Sequence, residues 1–184
     1  LIEQLLVNGT PVVMLDRKGD LAGYARSEAW SRPMADGALD ERRKQLLSGV
    51  DVALFTPGHP DGRPISITVA PDGLADLPSF EREEAATQAA QALGDMLGYK
   101  HGGRDGALRA GLIQAIQVLA RVLDRPIGLD VLIPFIGDGD PALIAAMGRL
   151  DPKLFAQLVQ NLETLKITAT RLFAPGGEPL DIDL

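Results

Sequence analysis

Five consecutive polar residues, Asp16-Arg17-Lys18-Gly19-Asp20, combine groups that could do chemistry. They follow the apolar run Val12-Val13-Met14-Leu15, and a carboxylate at the end of such a run can be aimed at a nucleotide phosphate, at a magnesium-bound water or at a hydrolytic water. Lys18 can neutralise phosphate charge, and Gly19 allows a sharp backbone turn. The same residues have a second reading, a polar loop in which Asp16 and Asp20 cap a short helix beginning near Leu21. Sequence leaves both open.

Other candidates carry less. Gly137-Asp138-Gly139-Asp140-Pro141 lacks the later bidentate carboxylate of a calcium loop and reads as a turn with Asp140 as helix cap. Gly102-Gly103-Arg104-Asp105-Gly106 reads as a connector capped by Asp105, with anion binding at the helix start as the alternative. His59 sits in Pro57-Gly58-His59-Pro60 with no serine or cysteine nucleophile motif nearby. The absence of cysteine excludes disulfides, thiolate metal sites and cysteine catalysis together, and two histidines leave little for a metal centre. No metal ligand is assigned.

The elements that must position these residues divide the chain in two. Residues 1–8 have the pattern of a helix ending at Asn8-Gly9, and Val12–Leu15 reads as a strand buried on both faces of a parallel sheet. Asp40 is expected to cap a helix through Ser48, followed by a second buried strand at 50–55 and a half-exposed one at 64–69. From Ser79 the periodicity becomes helical. Helices are expected at 79–98, 106–123 (with Leu108, Leu112, Ile116, Leu119 and Leu123 on one stripe), 129–136, 140–149, and from Asp151-Pro152 onward. The expected architecture is α/β: a partial parallel sheet in residues 1–78, a large all-α lobe inserted at 79–173, and a return strand at 174–184, where Asp181 and Asp183 alternate with apolar residues.

Charge and hydropathy bound the function. The net charge of −7 is spread over both parts, so no broad basic face exists to displace counterions from a phosphate backbone. No apolar run approaches the roughly 18 residues of a membrane span, and no secretory signal is seen, which places the chain in the cytoplasm with no membrane partner. Leu1 is not an initiator methionine, and the pattern Leu1, Ile2, Leu5, Leu6 opens without a cap, as expected of an internal piece of a larger protein.

The stretch Leu5-Leu6-Val7-Asn8-Gly9-Thr10-Pro11-Val12-Val13-Met14-Leu15-Asp16-Arg17-Lys18-Gly19-Asp20 resembles the HerA/FtsK-type ATPases, DNA-pumping motors in which a Walker A loop and helix lead to a strand ending in an Asp-x-Lys-Gly-Asp/Glu-like motif. Leu54–Gly58 with Gly62–Ser66, and Phe173–Ile182, are similar to later stretches of that family. The resemblance implies a P-loop NTPase core, ATP and Mg²⁺ as cofactors of the full-length parent, a ring-forming homo-oligomer and DNA as a partner. It implies catalytic roles for Asp16 and Asp20, and cofactor-binding roles for Lys18 and Gly19. Neither the Gly-x-x-x-x-Gly-Lys-Ser/Thr string nor the family's second acidic motif occurs in the chain. The piece alone is therefore expected to be inactive and to bind neither cofactor tightly. The alternative from a different class is a helical interaction or oligomerisation module without catalysis.

Overall fold

A computed structural model describes residues 2–57, 62–173 and 177–179. The chain divides into two compact units, residues 1–65 with 180–184, and residues 66–179.

The second unit is a helical assembly of α4 (Ser79–Met96), α5 (Gly103–Val122), α6 (Leu129–Gly137), α7 (Pro141–Met147) and α8 (Lys153–Thr168). Leucine, isoleucine and alanine recurring every three or four residues produce it, because that spacing puts them on one stripe of a 3.6-residue helix. On α5 the buried set is Leu108, Leu112, Ala115, Ile116, Leu119 and Ala120. Helix α4 meets α5 along a face that buries Ala86, Ala90 and Leu93, and the two alanines are small enough to let the backbones approach. Helices α6, α7 and α8 also pack on α5. Gly111 is needed where α7 and α8 meet it, since a Cβ there would stand 2.9 Å from Leu158 Cδ1.

Local caps match the sequence signals where a side chain reaches forward. Asp140 accepts from the Ala142 N–H at 2.8 Å and Asp151 from the Lys153 N–H at 2.9 Å, each beside a proline at the helix start. Asp105 instead reaches backward to the Lys100 N–H at 3.0 Å, and α5 begins three residues earlier than expected, at Gly103.

The exit of α4 is held by one buried arginine. The carbonyls of Leu93, Gly94 and Asp95 are met by the N–H groups of Leu97, Tyr99 and Gly98 as the chain leaves the helix, and a side chain then ties this turn to its neighbour. Arg109, on α5, donates Nη1–H to the Gln91 carbonyl at 3.3 Å and Nε–H to the Tyr99 carbonyl at 3.1 Å, and its Nη2 pairs with Asp95 Oδ1 at 2.5 Å. Gly94 makes room, because a Cβ there would come within 3.0 Å of Arg109 Nη1. From the same turn, the Tyr99 hydroxyl accepts from Asn161 Nδ2 at 2.7 Å and so ties the turn to α8.

The first unit contains α1 (Ile2–Val7), a 3₁₀ turn (Leu21–Ala25), α2 (Ser27–Ser31) and α3 (Gly37–Gly49). The expected α/β parallel-sheet core is not found. Val12–Leu15 forms no strand; Val13 is 62% and Leu15 95% exposed, and their backbone groups make no hydrogen bond among the described residues. Residues 50–55 contribute one isolated parallel bridge, Phe55 to Arg63. Of 64–69 only Ile65–Ser66 (β1) is a strand, paired with Glu178–Pro179 (β2); the rest of the expected return strand lies outside the described residues. A strand completes its hydrogen bonds only on a neighbour, whereas a helix completes them on itself. Without a flanking strand, the β-branched runs stay open.

Helix α3 also starts differently. Asp36, not Asp40, is its cap, accepting from the Ala38 N–H at 2.9 Å; Asp40 lies in the first turn and pairs with Arg43 at 2.5 Å and Lys44 at 3.2 Å. Among the described residues no helix is long and apolar enough to cross a membrane.

Arg109→Ala removes the buried guanidinium that joins the Gln91 and Tyr99 carbonyls to Asp95 and is expected to destabilise the chain by about 2–4 kcal/mol. Arg109→Lys, which cannot fork across them, recovers only part of that. Chemical denaturation measures both, and a loss below about 1 kcal/mol in Arg109→Ala would refute the clamp.

Candidate functional site

The loop Asp16–Asp20 is organised by its own first carboxylate. Asp16 Oδ1 accepts from the Lys18 N–H at 3.1 Å and the Gly19 N–H at 2.7 Å, while Oδ2 accepts from the Leu21 and Ala22 N–H groups, each at 2.9 Å. The chain wraps this carboxylate as successive amides wrap an anion. Gly19 makes the wrap possible. Its φ of +82° lies in the left-handed region, and a side chain there would meet no neighbour within 4 Å, so the objection to other residues is conformational.

Beyond the loop, the first two amides of the 3₁₀ turn are those held by Asp16. Its far end is held by Trp30 on α2, whose indole Nε1–H donates to the Tyr24 carbonyl at 2.6 Å, with the Tyr24 and Trp30 rings edge to face at 5.7 Å. Neither Tyr24 nor Trp30 is legible as part of the site from sequence, since they meet only through the turn between the 3₁₀ segment and α2. Side chains thus fix the segment 16–30 at both ends of its turn.

The predicted residues are together in chain and space but stand in different environments. Asp16 is half-buried with both oxygens engaged. Lys18 and Asp20 are exposed, and neither side chain makes a hydrogen bond or ion pair among the described residues. Of the two carboxylates expected either to act or to cap, Asp16 does the capping; Asp20 occupies the cap position of the 3₁₀ turn without a side-chain bond. The loop lies on open surface. A cleft of about 350 Å³ in this unit, lined by Leu6, Thr10, Pro11, Val50 and Asp51 among others, does not include it.

Among the described residues no three acidic or histidine side chains come together as metal ligands. His59, Asp181 and Asp183 lie outside the described residues.

Burial of the Asp16 carboxyl raises its pKa, but the four backbone N–H bonds, from Gly19, Ala22, Leu21 and Lys18, together outweigh this and hold it below the usual carboxylate range. A depressed pKa of this kind stabilises the folded loop at pH above the ordinary aspartate value, and that contribution disappears as pH falls through the depressed one. The amide resonances of Lys18, Gly19, Leu21 and Ala22 are therefore expected to shift together at a pH below ordinary aspartate titration. Independent movement, or a common midpoint in the ordinary range, would contradict this geometry.

Compared with protein-family models, with curated proteins and with solved structures, the chain has no match.

Proposed function

We propose that the chain is a section of an ATP-hydrolysing motor of the HerA/FtsK class, acting in the cytoplasm on DNA or a DNA-bound complex as a ring-forming homo-oligomer. The observation that carries this reading is the loop, in which Asp16 fixes the backbone while Lys18 and Asp20 project unpaired into solvent. The sequence likeness around Asp16–Asp20 supplies the family; the helical architecture does not. Because the chain has no phosphate-binding loop string, the main grip on nucleotide falls, on this reading, to polypeptide outside these 184 residues.

The loop's residues fit a polyphosphate carrying a divalent cation. Lys18 has a free ammonium for phosphate oxygens, and Asp20 a free carboxylate for a metal-bound or attacking water. Gly19 permits close approach of the backbone. Magnesium-bound ATP, when present, supplies the phosphoryl group and the cationic charge that offsets its negative charge. The chain's part is to orient and neutralise.

In the whole protein, Lys18→Ala and Asp20→Ala are each expected to lower ATP turnover on the order of 10²-fold, the scale of losing one preorganised electrostatic partner. Unchanged turnover in both would remove the loop from the chemistry.

A second reading, a helical interaction or oligomerisation module, is favoured by one feature of the helical unit. Phe80 at the start of α4 and Val122 at the end of α5 are 76% and 74% exposed, and Glu83 and Arg121, bonded at 3.2 Å, bring these helix ends together. Exposed apolar groups at one end of a helix pair suit a protein contact. On this reading light scattering finds an oligomer that Phe80→Ser with Val122→Ser returns to monomer. A strict monomer before substitution would reject it.

A further inference from the structure

Within the ATPase reading, on which this rests, we infer that Asp16 is a positioning residue: it shapes the loop that presents Lys18 and Asp20 and does not itself touch nucleotide, metal or attacking water. An ionised carboxylate has about four lone-pair sites. Four N–H groups at 2.7–3.1 Å take them up, two on each oxygen. To bind a metal or accept a proton, Asp16 would have to give up some of these bonds, and the partly buried Leu21 and Ala22 amides would lose their acceptor, which is unfavourable.

The order of the bonded amides adds a second argument. Residues 18, 19, 21 and 22 point their N–H groups inward, and Asp20 alone is skipped. The carboxylate therefore grips the chain on both sides of Asp20, while the Asp20 side chain stands exposed and unbonded. The left-handed Gly19 makes the bend between Lys18 and Asp20. Downstream, the Trp30 indole on the Tyr24 carbonyl stops the 3₁₀ turn from swinging. The depressed pKa of Asp16 agrees with this role, because so weak a base removes protons poorly at neutral pH.

Positioning and reacting carboxylates respond differently to substitution. Asn keeps one acceptor oxygen, so Asp16→Asn retains one of the two amide pairs; Ala retains neither. A carboxylate needed for its charge is lost equally in both. The test combines a double-mutant cycle on ATP turnover in the whole protein with amide spectra of the chain without nucleotide. Asp16→Ala is expected to lower turnover about 10²-fold and Asp16→Asn at least tenfold less. In a Lys18→Ala/Asp20→Ala background, Asp16→Ala is expected to have little further effect, since the groups it positions are already gone. In spectra, Asp16→Ala moves the Lys18, Gly19, Leu21 and Ala22 amides, whereas Asp20→Ala leaves those of Lys18 and Gly19 in place.

Equal losses for Asn and Ala, or a full additional loss in the double background, would overturn the positioning role and make Asp16 a reacting group. Unmoved amides in Asp16→Ala, with ATP turnover present in the wild type, would overturn this inference alone. Absence of ATP turnover in the wild-type protein overturns the nucleotide reading and this inference with it, while the amide spectra still report whether Asp16 holds the loop.

Discussion

Helix α5 is the surface on which the helical unit is built. Its leucine stripe is buried against α4, α6, α7 and α8 together, so a defect in that one helix reaches every neighbour. Such packing is unforgiving because an interior side chain touches many others and a void loses those contacts outright. The polar clamp follows from the same geometry. Backbone N–H groups of the following turn meet the Leu93, Gly94 and Asp95 carbonyls, and it falls to a side chain from α5 to reach the Gln91 and Tyr99 carbonyls and the Asp95 carboxylate. Arg109 does so with three donor nitrogens, and Gly94 opens the path for it.

A related requirement shapes the first unit. Backbone groups need partners, and each segment here finds them as locally as its composition allows. Helix α3 is capped by Asp36, and its Asp40, Arg43 and Lys44 pair along one face. The loop after Leu15 has no helix to complete and turns its amides onto Asp16. Val12–Leu15 can do neither: without a ladder the run has no backbone partner among the described residues, and Val13 and Leu15 stand exposed. Among the described residues of this unit, Leu46 and Ile65 are the large apolar side chains that are buried.

The functional reading draws on both arrangements. A loop held by its own carboxylate needs no sheet beneath it, so the backbone on either side of Asp20 is bonded to Asp16 although the strand expected to deliver it is absent. Preorganisation of this kind is what electrostatic catalysis asks of a site, because donors and charges that are already aimed need no reorganisation when charge develops.

Periodicity by itself determined the helices of residues 79–168, because a helix satisfies its own backbone and its buried stripe is written in residue spacing. The stripe of Leu108, Leu112, Ile116 and Leu119 was legible for that reason, as were the cap Asp140, which acts within two residues of its own position, and the helix start at Asp151-Pro152. The turn at Gly19 was legible too. Tertiary structure decided what depends on a distant partner. Whether Val12–Leu15 and 50–55 became strands depended on neighbours that no local pattern encodes, and they did not. Which of Asp16 and Asp20 would be consumed as a cap depended on where four amides came to lie, and which helix would close the end of α4 depended on the packing that brought Arg109 across it.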